Sequence, residues 1–351
     1  MTGRAELSHE QIRVDAARLG FTFCGVVRAE PSPTLGAYLR WVEAGMHGTM
    51  AYMARPDRIA RRRDLGVILP GARSVAVVGL DYRTAAVARD VLNEPTRGRI
   101  AAYAWGADYH TVMGARLKAL AEGLAGTHKP YVDTGAVLER SHAQQAGFGF
   151  IGKNTMLIHP RHGSTFFLGE IVTDAEFDQY DRPIEAAPTC GTCTRCLNAC
   201  PTEAFPRPHV LDARRCISYH TIENKGAIPE DLRANFGNWV FGCDVCQDVC
   251  PFQRFAPVTP ETAFLPTSAE RAAPPLDWLL TMDDAAFHER FSGSAVVRAG
   301  RARLTRNACV AAGNSGEVAL IPLLERLAVG GDEIVRAHAA WAINRLARPG
   351  G

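Results

Sequence analysis

The sequence lacks any long apolar segment. No apolar run approaches the roughly 18 residues that a membrane-spanning helix needs. Charged side chains are scattered through residues 1–20, where a secretory signal peptide would be apolar. We therefore expect a soluble, cytoplasmic protein with no membrane partner, whose cysteine thiols are kept reduced.

An excess of charge of one sign is also missing. The chain has 39 Lys and Arg against 37 Asp and Glu, a net charge of +2, so any contact with a nucleic acid would have to come from local patches. Two basic stretches are present, at residues 55–63 and 298–306. The second contains no acidic residue and carries Arg298, Arg301, Arg303 and Arg306. Each stretch is either a solvated helix face or a binding surface.

Cysteine is scarce outside one region, since eight of the ten cysteines lie between residues 190 and 250. The first run is C-x-x-C-x-x-C-x-x-x-C-P, the bacterial ferredoxin pattern, in which the fourth cysteine binds the other cluster. The run comprises Cys190, Cys193, Cys196 and Cys200. A second run comprises Cys243, Cys246 and Cys250, and Cys216 lies between the two runs.

This spacing predicts two 4Fe-4S clusters. Three closely spaced cysteines hold one cluster, and the fourth reaches its neighbour. We therefore assign the first cluster to Cys190, Cys193, Cys196 and Cys250, and the second to Cys200, Cys216, Cys243 and Cys246. Two zinc ions in four-cysteine sites are the alternative, but zinc usually takes paired C-x-x-C units. Cys24 and Cys309 stand apart and are expected to be small buried core residues.

Residues 1–185 show the alternating patterns of an α/β domain. The apolar runs 74–80 and 165–172, together with 129–132, predict strands, and residues 11–19 and 109–124 have helical spacing. A layered sheet with helices on its faces is expected from this alternation.

The remaining chain is predicted to form two further domains. Residues 186–256, opened by Pro188, form a ferredoxin-like domain that needs its clusters to fold. Residues 257–351 begin with a proline-rich linker and continue as helices. An Arg, an Ala and an Asn recur 30 residues apart, beginning at Arg306 and Arg336, which predicts HEAT-like helical repeats. The expected fold class is therefore a multi-domain protein, α+β followed by α.

Two short motifs suggest chemistry without establishing it. Residues 147–152 fit G-x-G-x-x-G, but a nucleotide-binding loop follows a strand, and residues 141–146 are predicted to be helical. These glycines instead let the backbone approach a flat ligand or a neighbouring segment. Asp133, in an Asp-Thr-Gly triplet, either gives a proton to a substrate or caps a helix that begins near Val137.

Taken together, the motifs resemble those of the epoxyqueuosine reductase family over nearly the whole chain. The motifs are W-G-A-D-Y-H at 105–110, V-D-T-G at 132–135, G-K-N at 152–154, R-C-I-S-Y at 215–219, G-C-D-V-C-Q-D-V-C-P at 242–251 and the first cysteine run. The resemblance implies an oxidoreductase that reduces epoxyqueuosine to queuosine at the wobble position of tRNA, with a monomeric chain and an unidentified electron donor.

The resemblance also implies a cofactor and roles for particular residues. A base-off cobalamin would be bound by the N-terminal domain and fed by the two clusters, and His110 would not bind its cobalt. Asp133 would be the proton donor. The implied cobalamin contacts are Arg62, Asp133, Lys153, Asn154, Ser218, Gly242, Cys243 and Asp244. The arginines at 298, 301, 303 and 306 are candidates for tRNA phosphate contacts.

Two other functions fit the same cysteine pattern. One is a related cobalamin and iron–sulfur reductase acting on small molecules, as a dehalogenase does. The other is a two-cluster electron carrier with no catalytic activity, although 185 residues ahead of the cysteines are more than a carrier needs. Binding of tRNA and binding of a corrin distinguish the three.

Overall fold

The computed structural model describes residues 6–185 and 189–348, so Pro188 lies outside the described residues. The helices are α1 His9–Arg18, α2 Leu35–Glu43, α3 Ala51–Ala54, α4 Pro56–Arg63, α5 Arg89–Leu92, α6 Tyr109–Glu122, α7 Glu139–Gln145, α8 Arg195–Ala199, α9 Ile217–Ile222, α10 Glu230–Arg233, α11 Val245–Asp248, α12 Ala269–Ala272, α13 Leu276–Thr281, α14 Asp284–Phe291, α15 Arg301–Ser315, α16 Ile321–Gly330 and α17 Glu333–Leu346. The strands are β1 Phe23–Arg28, β2 Ser74–Asp81, β3 Arg99–Ile100, β4 His128–Tyr131, β5 Phe150–Ile151, β6 Leu157–Ile158, β7 Phe166–Thr173 and β8 Trp239–Phe241.

The N-terminal part is built on a four-stranded antiparallel sheet with the order β1-β2-β7-β4. All eight residues of β2 are buried, because apolar side chains cover both faces of the sheet. Ile12 of α1 and Met113 of α6 pack on one face. Ala143 of α7 packs on the other with Leu65. The predicted layered sheet is confirmed, as are the predicted helices and strands that build it.

One edge of this sheet brings two loops together. Strand β4 ends two residues before Asp133, and α6 begins at Tyr109 and packs against β4. Asp108 is the N-cap of α6, and its side chain accepts a hydrogen bond from the backbone amide of His110. Residues 108–110 and 133 are therefore held on neighbouring elements.

The cysteine-rich segment has little regular structure of its own. Its helices α8 to α11 are four to six residues long. Strand β8 pairs in parallel with β3 of the N-terminal part, opposing Trp239 to Arg99. Ile217 and Phe236 pack in one apolar cluster with Ala101 and Val310. The segment is therefore packed against both flanking parts of the chain.

The C-terminal part is helical, as predicted. Helix α15 packs against α17, and α16 packs beside α17. The recurring alanines, Ala312 and Ala342, are both fully buried. A Cβ atom on Gly313 would lie 2.9 Å from the Cα of Ala342, so the helices touch closely where the repeat matches. No helix within residues 6–185 and 189–348 is long and apolar enough to cross a membrane.

Arg306 is not at the surface, so its predicted contact with tRNA phosphate is wrong. Its side chain is fully buried. The guanidinium donates hydrogen bonds to the carbonyl oxygens of His220, Asn224 and Gly226. The guanidinium therefore satisfies the backbone carbonyl groups at the end of α9. Because these carbonyl groups enclose it, a phosphate cannot reach it.

We expect Arg306→Met to lower the free energy of unfolding by about 3 kcal/mol or more, because buried carbonyl groups lose hydrogen bonds from a charged donor. Denaturant unfolding of the iron–sulfur-loaded protein measures this change. The matched control is Arg301→Met on the same helix, whose ionic partner Asp284 has a 74% exposed side chain, so a change within about 0.5 kcal/mol is expected. Equal stability of the two variants would contradict the structural role of Arg306.

Candidate functional site

Asp133 lies on a strained and exposed loop. Its backbone φ of 58° is in the left-handed region, which a residue other than glycine seldom occupies. Its side chain is 67% exposed. The helix that follows begins at Glu139 with Leu138 as its N-cap, so the alternative in which Asp133 caps this helix is wrong. Strain retained at an exposed carboxyl is a mark of functional sites.

Two side chains from the start of α6 face this carboxyl. The Tyr109 hydroxyl donates a hydrogen bond of 2.7 Å to Oδ2 of Asp133. The Nε2 atom of His110 lies 3.7 Å from the same oxygen. The Tyr109 ring stacks on Phe167 at 4.2 Å, which fixes its direction. Sequence reasoning missed Tyr109, although the W-G-A-D-Y-H motif contains it.

A second carboxyl lies behind His110. The Nδ1 atom of His110 is 2.8 Å from Oδ1 of Asp108, and Arg298 reaches the other oxygen of Asp108 at 3.2 Å. Burial acts to raise the pKa of Asp108, but hydrogen bonds from His110 and the charge of Arg298 outweigh it and lower that pKa to about 2. Arg298, predicted to contact phosphate, is thus paired within the protein while its side chain remains 46% exposed.

The pKa values of Tyr52 and Glu223 respond to the charge of Asp133. Burial and the charges of Glu223 and Asp133 raise the pKa of Tyr52 to about 12. Burial and the charge of Asp133 also raise the pKa of Glu223, although Arg303 opposes them. Asp133 is therefore within electrostatic reach of residues from α3 and from the end of α9.

Arg62 is nearly buried and lies close enough to Tyr52 to affect the pKa of that residue. Its guanidinium lies 5.0 Å from the centre of the Tyr38 ring, and its Nη2 is 3.7 Å from the sulfur of Met53. Its Nε atom is buried and makes no hydrogen bond to any residue that the structure describes. The Nε–H group of Arg62 is therefore available to donate a hydrogen bond to a ligand.

The G-K-N motif connects the two cysteine runs. The Lys153 ammonium donates to the carbonyl oxygens of Gly191 at 2.7 Å and Cys193 at 2.9 Å. The buried Asn154 amide donates to the carbonyl oxygen of Cys246 at 3.2 Å. Helix α7 precedes the glycines, as predicted, and a Cβ atom at Gly149 would lie only 2.1 Å from the backbone oxygen of Ile158. These contacts favour the interpretation in which glycine allows two chain segments to approach.

The turn at residues 242–244 is tied to the segment that leads into α6. The Asp244 carboxylate accepts a hydrogen bond of 2.7 Å from the Ala102 amide. Burial and the charge of Asp248 raise the pKa of Asp244 to about 7. Gly242 has a φ of 68°, and its Cβ would lie 2.5 Å from that of Ala101. Ser218, on α9, is half-buried.

The clustered cysteines lie close enough to raise one another's pKa. Burial raises the pKa of Cys196, and the nearby Cys190 and Cys250 raise it further. Burial raises the pKa of Cys250, and Cys190 and Cys193 add to this effect. Burial raises the pKa of Cys246, and Cys216, Asp244, Cys200 and Cys196 add to it. Burial also raises the pKa of Cys243, with Cys216 and Cys246 adding to it. Most of these influences lie within the two ligand sets predicted from spacing, and that of Cys196 on Cys246 lies between them.

These thiols suit a cluster better than free cysteines. No three His, Cys, Asp or Glu side chains in the described ranges are placed to hold a single metal ion. In a 4Fe-4S cluster the four cysteines surround a larger group. Backbone amides point at the sulfurs, with Lys153 N 3.4 Å from Cys190 Sγ and Ala204 N 3.3 Å from Cys200 Sγ. Burial and mutual repulsion disfavour thiolates, so a cluster bound by four of them would have to supply compensating positive charge.

The arrangement indicates an iron–sulfur oxidoreductase with a two-cluster domain, and two family models agree with this class. The model for a 4Fe-4S double cluster binding domain matches residues 189–253. The model described as epoxyqueuosine reductase QueG, DUF1730, matches residues 62–134. The second match includes both Arg62 and Asp133.

Curated relatives share most of their length with this chain. The epoxyqueuosine reductase of Xanthomonas campestris is 41% identical over 344 residues, covering 95% of this chain and 94% of that protein. The Escherichia coli enzyme is 38% identical over 343 residues, covering 95% and 88% respectively. The chain belongs to the epoxyqueuosine reductase family and is an oxidoreductase, so the alternative of a non-enzymatic carrier is set aside.

Solved structures show the same fold. An epoxyqueuosine reductase crystallised with an epoxyqueuosine-modified tRNA-Tyr stem loop has a TM-score of 0.88 and 32% identity, covering 97% of this chain and 90% of that one. The Bacillus subtilis enzyme, described with an aspartate-bearing catalytic loop swung out of the active site, has a TM-score of 0.86 and 31% identity, with the same coverage.

Proposed function

We propose that this enzyme reduces epoxyqueuosine to queuosine at the wobble position of tRNA, using cobalamin and two 4Fe-4S clusters. The observation that carries the proposal is the Asp133 carboxyl, held on a strained, exposed loop by Tyr109 in a chain of this family. A solved relative contains the matching modified stem loop, which supports tRNA as the substrate. An external electron donor and a monomeric chain complete the proposal.

Asp133 is the proposed proton donor. The epoxide oxygen must gain protons as it leaves, and a carboxyl within hydrogen-bond reach supplies them. Tyr109 orients the carboxyl and stabilises the carboxylate after the proton has gone. The Bacillus subtilis relative is described with an aspartate-bearing catalytic loop swung out of the active site, which is consistent with the exposed Asp133 loop.

The cobalamin site is proposed beside this loop, within a first domain of residues 1–185. When bound, cobalamin supplies the electrons that open the epoxide. The unpaired Nε of Arg62 fits a polar group of such a ligand. Lys153 and Asn154, which bond to the backbone of the cysteine runs, are proposed as further contacts together with Ser218 and the turn at 242–244.

The two clusters are proposed to lie in a second domain, residues 186–256, with residues 257–351 forming the linker and HEAT-like helices. Cys190, Cys193, Cys196 and Cys250 bind one cluster, and Cys200, Cys216, Cys243 and Cys246 bind the other. Cys196 of the first set influences the pKa of Cys246 of the second, which is consistent with neighbouring clusters that exchange electrons.

Arg298 and Arg301 are the stronger proposed tRNA contacts, because the Arg303 guanidinium already donates to the carbonyl oxygens of Ala299, Ile222 and Arg298. We expect Arg301→Ala to reduce the slope of log affinity against log salt by about 0.7 to 0.9, because one phosphate contact is lost. Titration of fluorescent tRNA stem loop at several salt concentrations measures the slope. Arg18→Ala on α1, a 72% exposed arginine, serves as the control. Identical slopes for the two variants would assign Arg301 to a solvated helix face.

The proposed function is tested with anaerobically reconstituted protein, cobalamin, a low-potential reductant and tRNA containing epoxyqueuosine. Absorption bands of clusters and of base-off cobalamin, together with conversion of the nucleoside to queuosine, are expected. Clusters without bound corrin and without conversion would overturn the proposal.

A further inference from the structure

The His110 imidazole has an unused nitrogen that faces Asp133. Its Nε2 atom is buried and has no hydrogen-bond partner among the residues described. We propose that His110 is a positioning and relay residue that passes a proton to Asp133, so that this pair delivers both protons consumed in one turnover. The inference rests on the proposed function and assigns the source of the second proton.

The reaction needs more protons than one carboxyl stores. Converting an epoxide to an alkene breaks both C–O bonds, and the oxygen leaves as water after gaining two electrons and two protons. The electrons come from the reductant that the reductase activity requires. Asp133 holds a single proton, so a second proton must reach the same oxygen from elsewhere.

Solvent is a poor source of that proton once substrate is bound. A nucleotide close enough to accept a proton from Asp133 would shield this exposed carboxyl from water. A proton donor beside Asp133 avoids this difficulty, and the His110 imidazole lies 3.7 Å from the carboxylate.

Asp108 fixes His110 for the relay. Its carboxylate, paired with Arg298, accepts a hydrogen bond from Nδ1 of His110, so Nδ1 carries a proton and Nε2 is directed at Asp133. The 3.7 Å separation between Nε2 and Oδ2 exceeds a hydrogen bond. A small movement of the exposed loop closes this gap.

The proton sequence balances. Asp133 first protonates the epoxide oxygen, the His110 imidazolium then reprotonates the Asp133 carboxylate, and Asp133 gives its second proton to the departing hydroxyl to form water. His110 ends neutral and Asp133 ends ionised, and solvent restores both after product release. The titratable and charged groups facing the pair are Asp108, Tyr109 and Arg298 around His110, and Tyr52, Tyr103, Glu139 and Glu223 around Asp133.

Single-turnover conversion with excess enzyme tests the relay in His110→Gln. We expect a fall of about 100-fold or more in rate, with cluster absorption and stem-loop affinity unchanged. Only a protonated imidazole can pass a proton on, so the pH profile of the wild-type rate should contain a limb that depends on His110 and is missing from the variant. His288→Gln, at an exposed histidine of α14, is the matched control and should retain the wild-type rate and pH profile.

Asp108→Asn provides a second test that keeps the imidazole and an N-cap side chain. Asp108→Asn should alter the same part of the pH profile of the rate, because the His110 Nδ1 atom loses its ionised partner. The relay is overturned if His110→Gln has the same rate as His288→Gln. It is also overturned if His110→Gln is slow but its rate keeps the wild-type dependence on pH. Should His110→Gln fail to fold, an unchanged pH profile in Asp108→Asn overturns it. Failure of the proposed function is distinct, since the wild type itself would then make no queuosine.

Discussion

Asp133→Asn is expected to slow the conversion of epoxyqueuosine by about 10²- to 10⁴-fold, the range that a positioned general acid contributes. Asparagine keeps the size of the side chain and an oxygen that accepts from Tyr109, but it has no acidic proton to give. It also tolerates the left-handed backbone at this position, as alanine would not. Single-turnover assays with product nucleoside analysis measure the rate.

The control for this variant is the neighbouring residue. Thr134 contributes its backbone carbonyl to Arg58, so Thr134→Ala removes only a side chain on the same loop and should retain activity. Cluster absorption and stem-loop affinity should be normal in both variants. Turnover of Asp133→Asn at the control rate would remove Asp133 from the mechanism, whereas a loss confined to affinity would make it a binding residue.

Cys246→Ala is expected to abolish activity and to remove about half of the iron. Cys246 is grouped with Cys200, Cys216 and Cys243, so the second cluster would lose a ligand. The short helices around it have little other stabilisation, and we expect faster proteolysis within residues 189–253. Iron and sulfide analysis, the visible absorption spectrum and limited proteolysis together measure these effects.

Cys24→Ala is the matched control for the loss of a cysteine. Cys24 is a half-buried residue of β1, remote in sequence from the cysteine runs, and burial raises its pKa to about 12. This variant should keep the full iron content. Equal iron in both variants would contradict the ligand assignment. Zinc without sulfide in the wild-type protein would instead support the four-cysteine zinc alternative.

Much of the regular structure was predictable from local pattern. The apolar run at 74–80 matches β2, and the helical spacing at 109–124 matches α6. Long helices and strands bury one or both faces, and the buried positions appear in the sequence as a regular pattern of apolar residues. The parallel pairing of β3 with β8 was not predicted, since strands of two and three residues carry too little periodicity.

Burial of charged residues was harder to predict. The four arginines of the 298–306 stretch look alike in sequence, yet the structure buries Arg306, pairs Arg298 with Asp108 and leaves Arg301 with an exposed partner. Arg298 precedes α15, and for the arginines on α15 the packing of this helix against the end of α9 decides which of them is buried.

The sequence by itself indicated the iron–sulfur chemistry, because seven of the cysteines stand in two runs with short, local spacings that chain connectivity imposes. It also marked Asp133 and the W-G-A-D-Y-H motif as special. Only the tertiary structure brought Asp133, His110 and Arg298 to one site. These residues lie on three segments whose distances depend on how the sheet packs against the C-terminal helices, and such long-range packing leaves no mark in any single stretch of sequence.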